Sequence, residues 1–400
     1  MQLGIERLTQ DLALQAPLTG KRIALVAHPA SVTHEGIHSL DALMQCDNIN
    51  VVCAFGPQHG MRGDKQDNMI ESANYEDPQH HIPVFSLYGE VRRPTQAMLD
   101  CFDMLLIDVQ DIGCRIYTYI TTLLYLLEAC AANHKPVWIL DRPNPAGREI
   151  EGLILEPGWE SFVGAGAIIM RHGLTLGEMA KWFVQHHQLD VEVQVITMDG
   201  YAPDTAPGYG WPMNELAWVN PSPNAASVNM TRFYAGSVLL EGTELSEGRG
   251  TTIALEVVGA SDIDIYAVLN KMRTLGAQWM QGAIIRPCYF EPTFHKHKGK
   301  LCQGFQVHTD YSGYQPERFK PYRLVLLFLK AIRLLYPDYA LWRHFDYEYE
   351  KGRLPFDVIN GGTSVREWIE DNTASVDAME ARLTADEQRW RESIKDCLLY

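Results

Sequence analysis

The stretch "DMLLIDVQD", residues 103–111, places an unbroken apolar run directly before a series of polar residues. A run of Leu, Ile and Val without polar alternation indicates a strand that is buried on both faces, as in a parallel sheet covered by helices. Six comparable runs occur in the first half of the chain: "RIALVAHPA" (22–30), "INVVCAFGP" (49–57), "IPVFSLYG" (82–89), "PVWILDRPNP" (136–145), "AIIMRHG" (167–173) and "VEVQVITMDG" (191–200). Helical patterns separate these runs, so the sequence predicts a doubly wound α/β domain.

One of the predicted helices, residues 175–187, has a clear start signal. It opens at Thr175 and carries Glu178 three residues later, which is the pattern of a capping box. The other predicted helices cover residues 116–132, 264–276, 321–336 and 376–398. We expect this mixture of helices and apolar strands to continue to the end of the chain.

The length of 400 residues exceeds what one hydrophobic core usually supports, so we expect two domains, at residues 1–200 and 201–400. The composition changes near this boundary, because residues 199–227 are rich in Pro, Gly and Trp and predict a long ordered connection or a lid. Strand-like runs follow at residues 282–290 and 302–310. The second domain is therefore predicted to be a smaller α/β unit.

The overall charge restricts the class of partner. A net charge of -16 and a pI near 5.3 argue against nucleic acid or an anionic membrane surface, because like charges repel within a Debye length of about 8 Å. We expect no signal peptide and no membrane-spanning segment, since no apolar run is long enough. The eight cysteines are scattered without a Cys-x-x-Cys pair and are predicted to be reduced core residues, which favours the cytoplasm.

Several common catalytic motifs are absent from the sequence. It has no Gly-x-Gly-x-x-Gly after the first strand, no Walker-type Gly-Lys-Ser/Thr loop and no Gly-x-Ser-x-Gly elbow. The run "HKHKGK" (295–300) suggests metal binding, but His beside Lys is a poor cation site, and we predict a solvated basic loop. We therefore expect no metal and no organic cofactor.

The predicted strands end at polar or turn-forming residues. These ends are His28-Pro29, Pro57-Gln58-His59, Tyr88-Gly89, Asp108 to Asp111, Asp141 to Asn144, and Arg171-His172. Ligands of open α/β sheets bind just beyond the carboxyl ends of the strands, so these residues are expected to converge on one crevice. Turn and cap chemistry explains any single one of them. The six ends together favour a binding site.

Three clusters of polar residues are candidates for chemistry. The first contains Gln58, His59, Arg62, Asp64, Asn68 and Glu71; the second contains Asp108, Gln110, Asp111, Arg115, Tyr117 and Tyr119; the third contains Asn224, Glu241, Glu244, Ser246, Glu247 and Arg249. Neighbouring carboxylates such as Glu244 and Glu247 repel each other, so burial would raise one pKa and prepare a proton donor. On an exposed loop both would be solvated, and the sequence favours this second interpretation.

The same clusters fall in blocks that resemble a known family. The blocks are "PQHGMRGD" (57–64), "SLYGEVRRPT" (86–95), "LIDVQDIGCRIYTYI" (106–120), "LDRPNP" (140–145), "RHGLTLGEMA" (171–180), "SPN" (222–224) and "LEGTELSEGRGTT" (240–252). In this order the set is similar to the NamZ-type exo-β-N-acetylmuramidases, long catalogued as a domain of unknown function. The resemblance implies a Rossmann-like N-terminal domain, a smaller C-terminal α/β domain and an active-site cleft between them. It also implies release of N-acetylmuramic acid from the non-reducing end of peptidoglycan fragments.

This implied substrate matches the arginines of the blocks. N-acetylmuramic acid carries a lactyl carboxylate, which an Arg side chain binds through two parallel hydrogen bonds. The candidate arginines are Arg62, Arg115, Arg171 and Arg249, and the candidates for stacking on the sugar are Tyr117, Tyr119 and Trp211. The remaining polar residues expected at the substrate site are Asn68, Gln110, Arg142, Asn144, His172, Asn224 and Ser246.

One position departs from the family pattern. The family usually reads Pro-Glu-His-Gly where this chain has Gln58, and that Glu is a strong candidate for the catalytic carboxyl. A carboxamide orients a water or a hydroxyl, but it does not exchange a proton near neutral pH. We therefore expect Glu71, or a Glu from residues 241–247 such as Glu241 or Glu247, to supply the acid. In this hypothesis His59 tunes the acid, and Asp108 or Asp111 fixes the acetamido group or a ring hydroxyl.

Three functions remain open at this point. The first is a glycosidase that acts on small amino-sugar or muropeptide substrates in cell-wall recycling. The second is a muramyl-sugar binding or regulatory protein that lost its acid when Gln58 appeared. The third is a hydrolase for a different 2-acetamido sugar. The feature that discriminates between the first two is whether a replacement carboxylate enters the cleft.

Overall fold

The apolar runs of the first half form strands in a computed structural model that describes residues 1–63 and 70–400. The central run, which predicted the fold, forms a strand with all five residues buried. The strands are β1 (Arg22–Ala27), β2 (Asn50–Gly56), β3 (Tyr75–Glu76), β4 (Pro83–Ser86), β5 (Met104–Asp108), β6 (Val137–Leu140), β7 (Glu151–Ile154), β8 (Ile169–Arg171), β9 (Val193–Ile196), β10 (Val257–Ala260), β11 (Ile284–Phe290) and β12 (Cys302–His308).

The main sheet has seven strands in the order β3-β4-β2-β1-β5-β6-β9. All neighbours pair in parallel except β3, which pairs antiparallel with β4 at one edge. Counted along the chain, the six parallel strands lie in the order 3-2-1-4-5-6, which is the order of doubly wound dinucleotide-binding sheets. The α/β fold class expected from the sequence is confirmed, and the carboxyl ends of the strands share one edge.

Helices cover both faces of this sheet, and further helices lie between and after the strands of the second half of the chain. They are α1 (Gly4–Gln10), α2 (Leu12–Gln15), α3 (Ser39–Met44), α4 (Gln96–Leu99), α5 (Tyr119–Ala132), α6 (Leu176–His187), α7 (Val228–Ser237), α8 (Ile265–Gly276), α9 (Pro321–Leu335), α10 (Pro355–Asn360), α11 (Ser364–Glu370) and α12 (Val376–Ile394). The capping box of α6 is confirmed, because the Thr175 hydroxyl accepts from the Glu178 backbone N–H and the Glu178 carboxylate accepts from the Thr175 N–H. Helix α5 begins at Tyr119, three residues later than predicted.

The second half contains a three-stranded antiparallel sheet in the order β10-β12-β11. Helices α7, α8 and α9 pack around it, and α9 is buried along most of its length. At the centre of the sheet Gly259 faces Gly304, and a Cβ on Gly304 would lie 2.0 Å from the Val258 carbonyl oxygen. The close approach of these two strands therefore requires glycine.

The prediction that residues 167–173 join the parallel sheet is wrong. Strand β8 instead pairs antiparallel with β7 in a separate two-stranded ribbon. The ribbon is held from the second half of the chain, because the buried Glu151 accepts hydrogen bonds from the backbone N–H groups of Tyr322 and Arg323 at the start of α9. Helix α12 packs on β7 as well. The proposed division at residues 200 and 201 stays a prediction.

Two further expectations concern the cysteines and the membrane. All eight cysteines are free thiols, and six of them are buried, as expected for core residues. Within residues 1–63 and 70–400, no helix combines the length and the apolar character that a bilayer crossing requires.

Arg115 is a structural tie between the β7–β8 ribbon and α10. Its side chain is buried, and Nη1 donates to the carbonyl oxygens of Leu153 and Ile168 at 2.8 Å each. Nη2 donates to the carbonyl oxygens of Ile359 and Asn360 at 3.0 and 2.9 Å. Burial lowers the pKa of Arg115 to about 10. The guanidinium therefore serves the backbone, and the expectation that it binds a substrate carboxylate is corrected.

We predict that Arg115→Met destabilises the protein by at least ~3 kcal/mol, because it leaves four buried carbonyl groups without donors. The measurement is the shift of the urea unfolding midpoint. Arg22→Met is the matched control, since Arg22 is half exposed and pairs with Asp103 at the surface, where an ion pair contributes little to stability. Equal shifts in the two variants would contradict this role of Arg115.

Candidate active site

A narrow pocket lies beyond the carboxyl ends of β2 and β5 and is closed by residues of the second half of the chain. It holds about 550 Å³ of open space, including its mouth. Its walls contain seven of the residues selected from the sequence: Gln58, His59, Tyr117, Tyr119, Asn224, Glu241 and Arg249. Other polar residues in its wall are Thr118, Ser222, Tyr234, Tyr347 and Glu348. The structure thus brings the strand ends and the glutamate-rich segment of the second half together in one cavity.

Gln58 is held in one orientation in this pocket. It follows β2 and is buried, and its Oε1 accepts a hydrogen bond from the Thr118 hydroxyl at 2.7 Å. The amide nitrogen therefore points the other way and donates to Glu348 Oε1 at 3.3 Å. The next residue, His59, has a positive φ of 70°, which turns the chain sharply after the strand. The carboxamide at position 58 thus serves as a donor to a carboxyl group.

Glu348 was not selected from the sequence. Its side chain is 5% exposed, and the Tyr88 hydroxyl donates to its Oε2 at 2.8 Å. Burial raises the pKa of Glu348, and the nearby charge of Glu241 adds to this effect. Among the described residues, Glu348 forms no ion pair, in contrast to the other buried carboxylates of this region. The pocket therefore contains a carboxyl group that favours holding its proton.

The backbone at Glu348 has an unusual conformation. Residues 347–350 form a tight turn in which the Glu350 N–H donates to the Tyr347 carbonyl at 2.9 Å. Glu348 and Tyr349 both have positive φ values, 47° and 72°, which is the pattern of a type I′ turn that usually carries Asn or Gly. Such strain persists only where the surroundings enforce it, and it concentrates at functional sites.

Glu241 and Arg249 form a buried ion pair in the pocket wall. Arg249 Nη2 donates to Glu241 Oε1 at 2.6 Å, and the Tyr347 hydroxyl donates to Glu241 Oε2 at 2.7 Å. Arg249 also approaches Glu247, with Nε and Oε1 separated by 3.2 Å. Within the described part of the chain, Arg249 Nη1 has no hydrogen-bond partner although it is buried. It is a donor available to a ligand in the pocket.

Glu247 lies behind this pair and outside the pocket wall. Lys296 Nζ contacts Glu247 Oε2 at 2.5 Å, and it donates to the Leu240 carbonyl at 2.6 Å. Burial by itself raises the pKa of Glu247, but the charges of Lys296 and Arg249 lower it to about 2. Glu247 is therefore ionised and is no proton donor, which corrects that candidate. The prediction that residues 295–300 form a solvated loop is also wrong at Lys296, which is buried.

The two aspartates that follow β5 are held by other groups. Asp108 is fully buried and accepts a hydrogen bond from the Ser39 hydroxyl. It also forms an ion pair with Arg142, whose Nη2 donates to Asp108 Oδ2 at 2.9 Å. Asp111 accepts from the Gly113 N–H at 2.6 Å. Neither aspartate lies in the pocket wall. Asp108 and Arg142 join loops at the end of the sheet, which corrects their proposed roles at the sugar. The buried Oδ1 of Asp111 has no hydrogen-bond partner among the described residues, so the role of Asp111 stays a prediction.

Most of the other residues expected to bind substrate lie outside the pocket wall, and their side chains contact other protein groups. Gln110 and Asn144 donate to backbone carbonyls, Arg171 donates to the Ala146 carbonyl, His172 approaches Asp111, Ser246 accepts from the Gly248 N–H, and Trp211 packs on Trp218. Arg62 pairs with Asp77 at 3.0 Å. Asp64 and Asn68 lie outside the described residues.

A wider groove adjoins the pocket and holds about 1540 Å³ of open space. Glu71, the first candidate acid, lies in this groove with its side chain 55% exposed and 3.5 Å from Arg92. It is thus a rim residue of the groove and does not reach the narrow pocket. Glu348 lines both the pocket and the groove.

The described residues offer no grouping of three His, Cys, Asp or Glu side chains that would hold a metal ion. The polar groups of the pocket are carboxyl, guanidinium, amide and phenol groups, which suit a sugar with an acidic substituent. Glycoside hydrolysis typically uses two carboxyl groups, of which one donates a proton and the other is ionised. The pocket contains Glu348, which favours its proton, and Glu241, which is paired with Arg249.

Fold and pocket together define a two-domain α/β glycosidase. The chain belongs to the family of the exo-β-N-acetylmuramidase NamZ: residues 23–229 match its N-terminal family model and residues 232–400 match its C-terminal one. It is 38% identical over 375 residues to the peptidoglycan β-N-acetylmuramidase NamZ of Bacillus subtilis strain 168, covering 94% of this chain and 85% of that protein.

Two crystal structures of DUF1343 family proteins from Bacteroides fragilis have the same fold. The first has a TM-score of 0.86 at 30% identity, and the second has a TM-score of 0.74 at 28% identity. Each comparison covers 100% of this chain and 98% of the other one. The family resemblance seen in the motif blocks is therefore confirmed.

We predict that Glu247 stabilises the protein above about pH 5 and that this contribution is lost as the pH falls toward 2. A carboxyl whose pKa is lower in the folded state contributes stability above its unfolded value, here roughly 3 kcal/mol for the value of about 2. Glu247→Gln should lower stability at pH 7 and flatten its pH dependence between pH 5 and 2, measured by urea unfolding. The control is Glu244→Gln, whose side chain is 51% exposed. An unchanged pH dependence in Glu247→Gln would contradict this assignment.

Proposed function

We propose that this protein is an exo-β-N-acetylmuramidase that releases N-acetylmuramic acid from the non-reducing end of peptidoglycan-derived fragments. The observation that carries the proposal is the narrow pocket, in which Glu241, Glu348 and Arg249 are buried together. Membership of the NamZ family and the named activity of the Bacillus subtilis relative support the same conclusion.

Arg249 supports an acidic sugar as the substrate. The pocket contains a buried guanidinium that is paired with Glu241 and Glu247 and whose Nη1 is still available. The lactyl carboxylate of N-acetylmuramic acid is an acceptor that suits this donor, and a charge-assisted hydrogen bond of this kind is about twice as strong as a neutral one. We assign Arg249 to this contact. It also explains why a protein of net charge -16 selects an anionic sugar.

The buried carboxyl of Glu348 argues for hydrolysis over binding alone. The question raised by Gln58 is whether a replacement carboxylate enters the cleft, and Glu348 lies within hydrogen-bond distance of Gln58. A carboxyl group that is buried with neutral donors and without a cationic partner favours its protonated form, which suits proton transfer to a leaving group. The hypothesis of a binding or regulatory protein is accordingly disfavoured.

We further propose that the protein acts in the cytoplasm on small fragments taken up during cell-wall recycling. Its eight free thiols are compatible with a reducing compartment. Cell fractionation of the native host, with activity measured in each fraction, tests this location.

We predict that the enzyme hydrolyses 4-nitrophenyl β-N-acetylmuramide at least ~100-fold faster, in kcat/KM, than the corresponding N-acetylglucosaminide, which lacks the lactyl carboxylate. Arg249→Lys should reduce this preference chiefly by raising KM for the muramide, because lysine lacks the guanidinium fork. The measurement is release of 4-nitrophenolate. Equal rates on both sugars would favour a hydrolase for another 2-acetamido sugar, and tight binding without cleavage would favour the binding protein.

A further inference from the structure

We propose that Glu348 is the general acid of the reaction and that Gln58 and Tyr88 position it. This inference rests on the proposed function, since it names the group that protonates the leaving oxygen when the terminal sugar is released. It assigns the role of proton donor to a residue of the second half of the chain that follows no predicted strand.

The position of Glu348 between the two cavities is the first argument. Glu348 is the side chain that the narrow pocket and the wide groove have in common. An exo-acting enzyme holds the terminal sugar in a closed subsite while the rest of the substrate extends into open space. The bond to be cleaved then crosses the junction between the two spaces. A general acid must reach the oxygen of that bond, within about 2.6–3.2 Å, and Glu348 lies at the junction.

The neighbouring charges are the second argument. Glu241 is paired with Arg249, and Glu247 is paired with Lys296 and Arg249. Glu348 instead accepts hydrogen bonds from two neutral groups, the Gln58 amide and the Tyr88 hydroxyl. A carboxyl group buried with neutral donors and beside another carboxylate keeps its proton more readily than an ion-paired one. The structure therefore separates the roles of the carboxyl groups in this region.

The two donors also distinguish the oxygens of Glu348. Gln58 can only donate to Oε1, because its own oxygen is engaged by Thr118. Tyr88 contacts Oε2 through a hydroxyl, which can rotate and accept a hydrogen bond instead. In the proposed arrangement the proton of Glu348 lies on Oε2, the Tyr88 hydroxyl turns to accept it, and Gln58 keeps Oε1 as the acceptor. In this arrangement the carboxamide at position 58 fixes Oε1 as the acceptor, because a carboxylate there would have no N–H group to donate.

The strained turn supplies the third argument. Tyr347 is held by Glu241, and Tyr349 lies with its hydroxyl 3.2 Å from Glu71 Oε1 and its ring under the Arg92 guanidinium. These contacts on both sides hold Glu348 at a positive φ. Strain that the surroundings impose on a buried acid indicates preorganisation for a reaction.

The proposed step balances as follows. The bond between C1 of the sugar and the leaving oxygen breaks, and its electron pair stays on that oxygen. The leaving oxygen takes the proton from Glu348, which becomes a carboxylate. Water then forms the new bond to C1, and the proton that it releases restores the carboxyl group of Glu348. No oxidant, reductant or metal is required.

The pH dependence of this step follows from the groups around Glu348. Those that face it are the Glu241 carboxylate, the Arg92 guanidinium and the Tyr88 phenol, and His59 lines the same pocket. Activity requires protonated Glu348, so kcat/KM should fall as the pH rises through its pKa. This basic limb should lie above the ordinary range of a glutamate, because burial raises the pKa of this group.

The test compares two leaving groups in Glu348→Gln. Release of N-acetylmuramic acid from the disaccharide with N-acetylglucosamine needs a proton on a poor leaving group, so kcat should fall by about 10³-fold or more. The 2,4-dinitrophenyl muramide releases 2,4-dinitrophenolate, a stable leaving group that needs no proton. For this substrate kcat of the variant should therefore fall by less than about 10-fold. With this substrate the basic limb of the pH profile should be absent from the variant. Retained activity on the activated substrate also shows that the variant is folded.

Glu244→Gln is the matched control, because Glu244 is an exposed carboxylate outside the pocket wall, and both substrates should be cleaved as by the native enzyme. Equal losses on both substrates in Glu348→Gln, or a loss on neither, would overturn the assignment of Glu348. If the native protein cleaves neither substrate, the proposed function itself is rejected, and the assignment of Glu348 is rejected as a consequence.

Discussion

The arrangement of the site depends on the ion pairs that Arg249 makes with two buried carboxylates. Arg249 contacts Glu241 at 2.6 Å and Glu247 at 3.2 Å, and Lys296 completes the neutralisation of Glu247. Buried charges are tolerated only when paired, so this network determines which acids of the region are ionised. Glu348 is outside it. The difference between paired and unpaired carboxyl groups gives this site its chemistry.

The sheet contributes to the site by placing loops, and most of its polar strand ends hold these loops together. Asp108 and Arg142 form a buried pair beyond β5 and β6 and seal the sheet edge at the position where a doubly wound fold often binds a nucleotide. The cavity is displaced toward β2, and Gln58 follows the end of that strand. The candidate pocket thus lies along the same edge of the sheet, and the second half of the chain supplies its opposite wall.

The sequence was informative where local pattern determines structure. The apolar runs predicted the strands and the capping box predicted α6, because burial and capping act over a few residues. It placed β8 wrongly, since the ribbon of β7 and β8 is held by α9 at β7 and by α12 at both strands, from far along the chain. It also missed Glu348, which lies 290 residues from Gln58 in sequence. An acid in an aromatic and charged segment carries no periodic signal, and the pairing of Lys296 with Glu247 is equally invisible before the chain folds.

The turn at residues 347–350 places three consecutive side chains in contact with different parts of the site. Tyr347 contacts Glu241 in the pocket wall, Glu348 faces Gln58, and Tyr349 lies in the groove. Adjacent residues cannot be displaced independently. Under the proposed mechanism, the contact in the sugar pocket, the position of the proton donor and the groove wall beside the leaving group therefore change together. An insertion or deletion of one residue there would displace all three contacts at once.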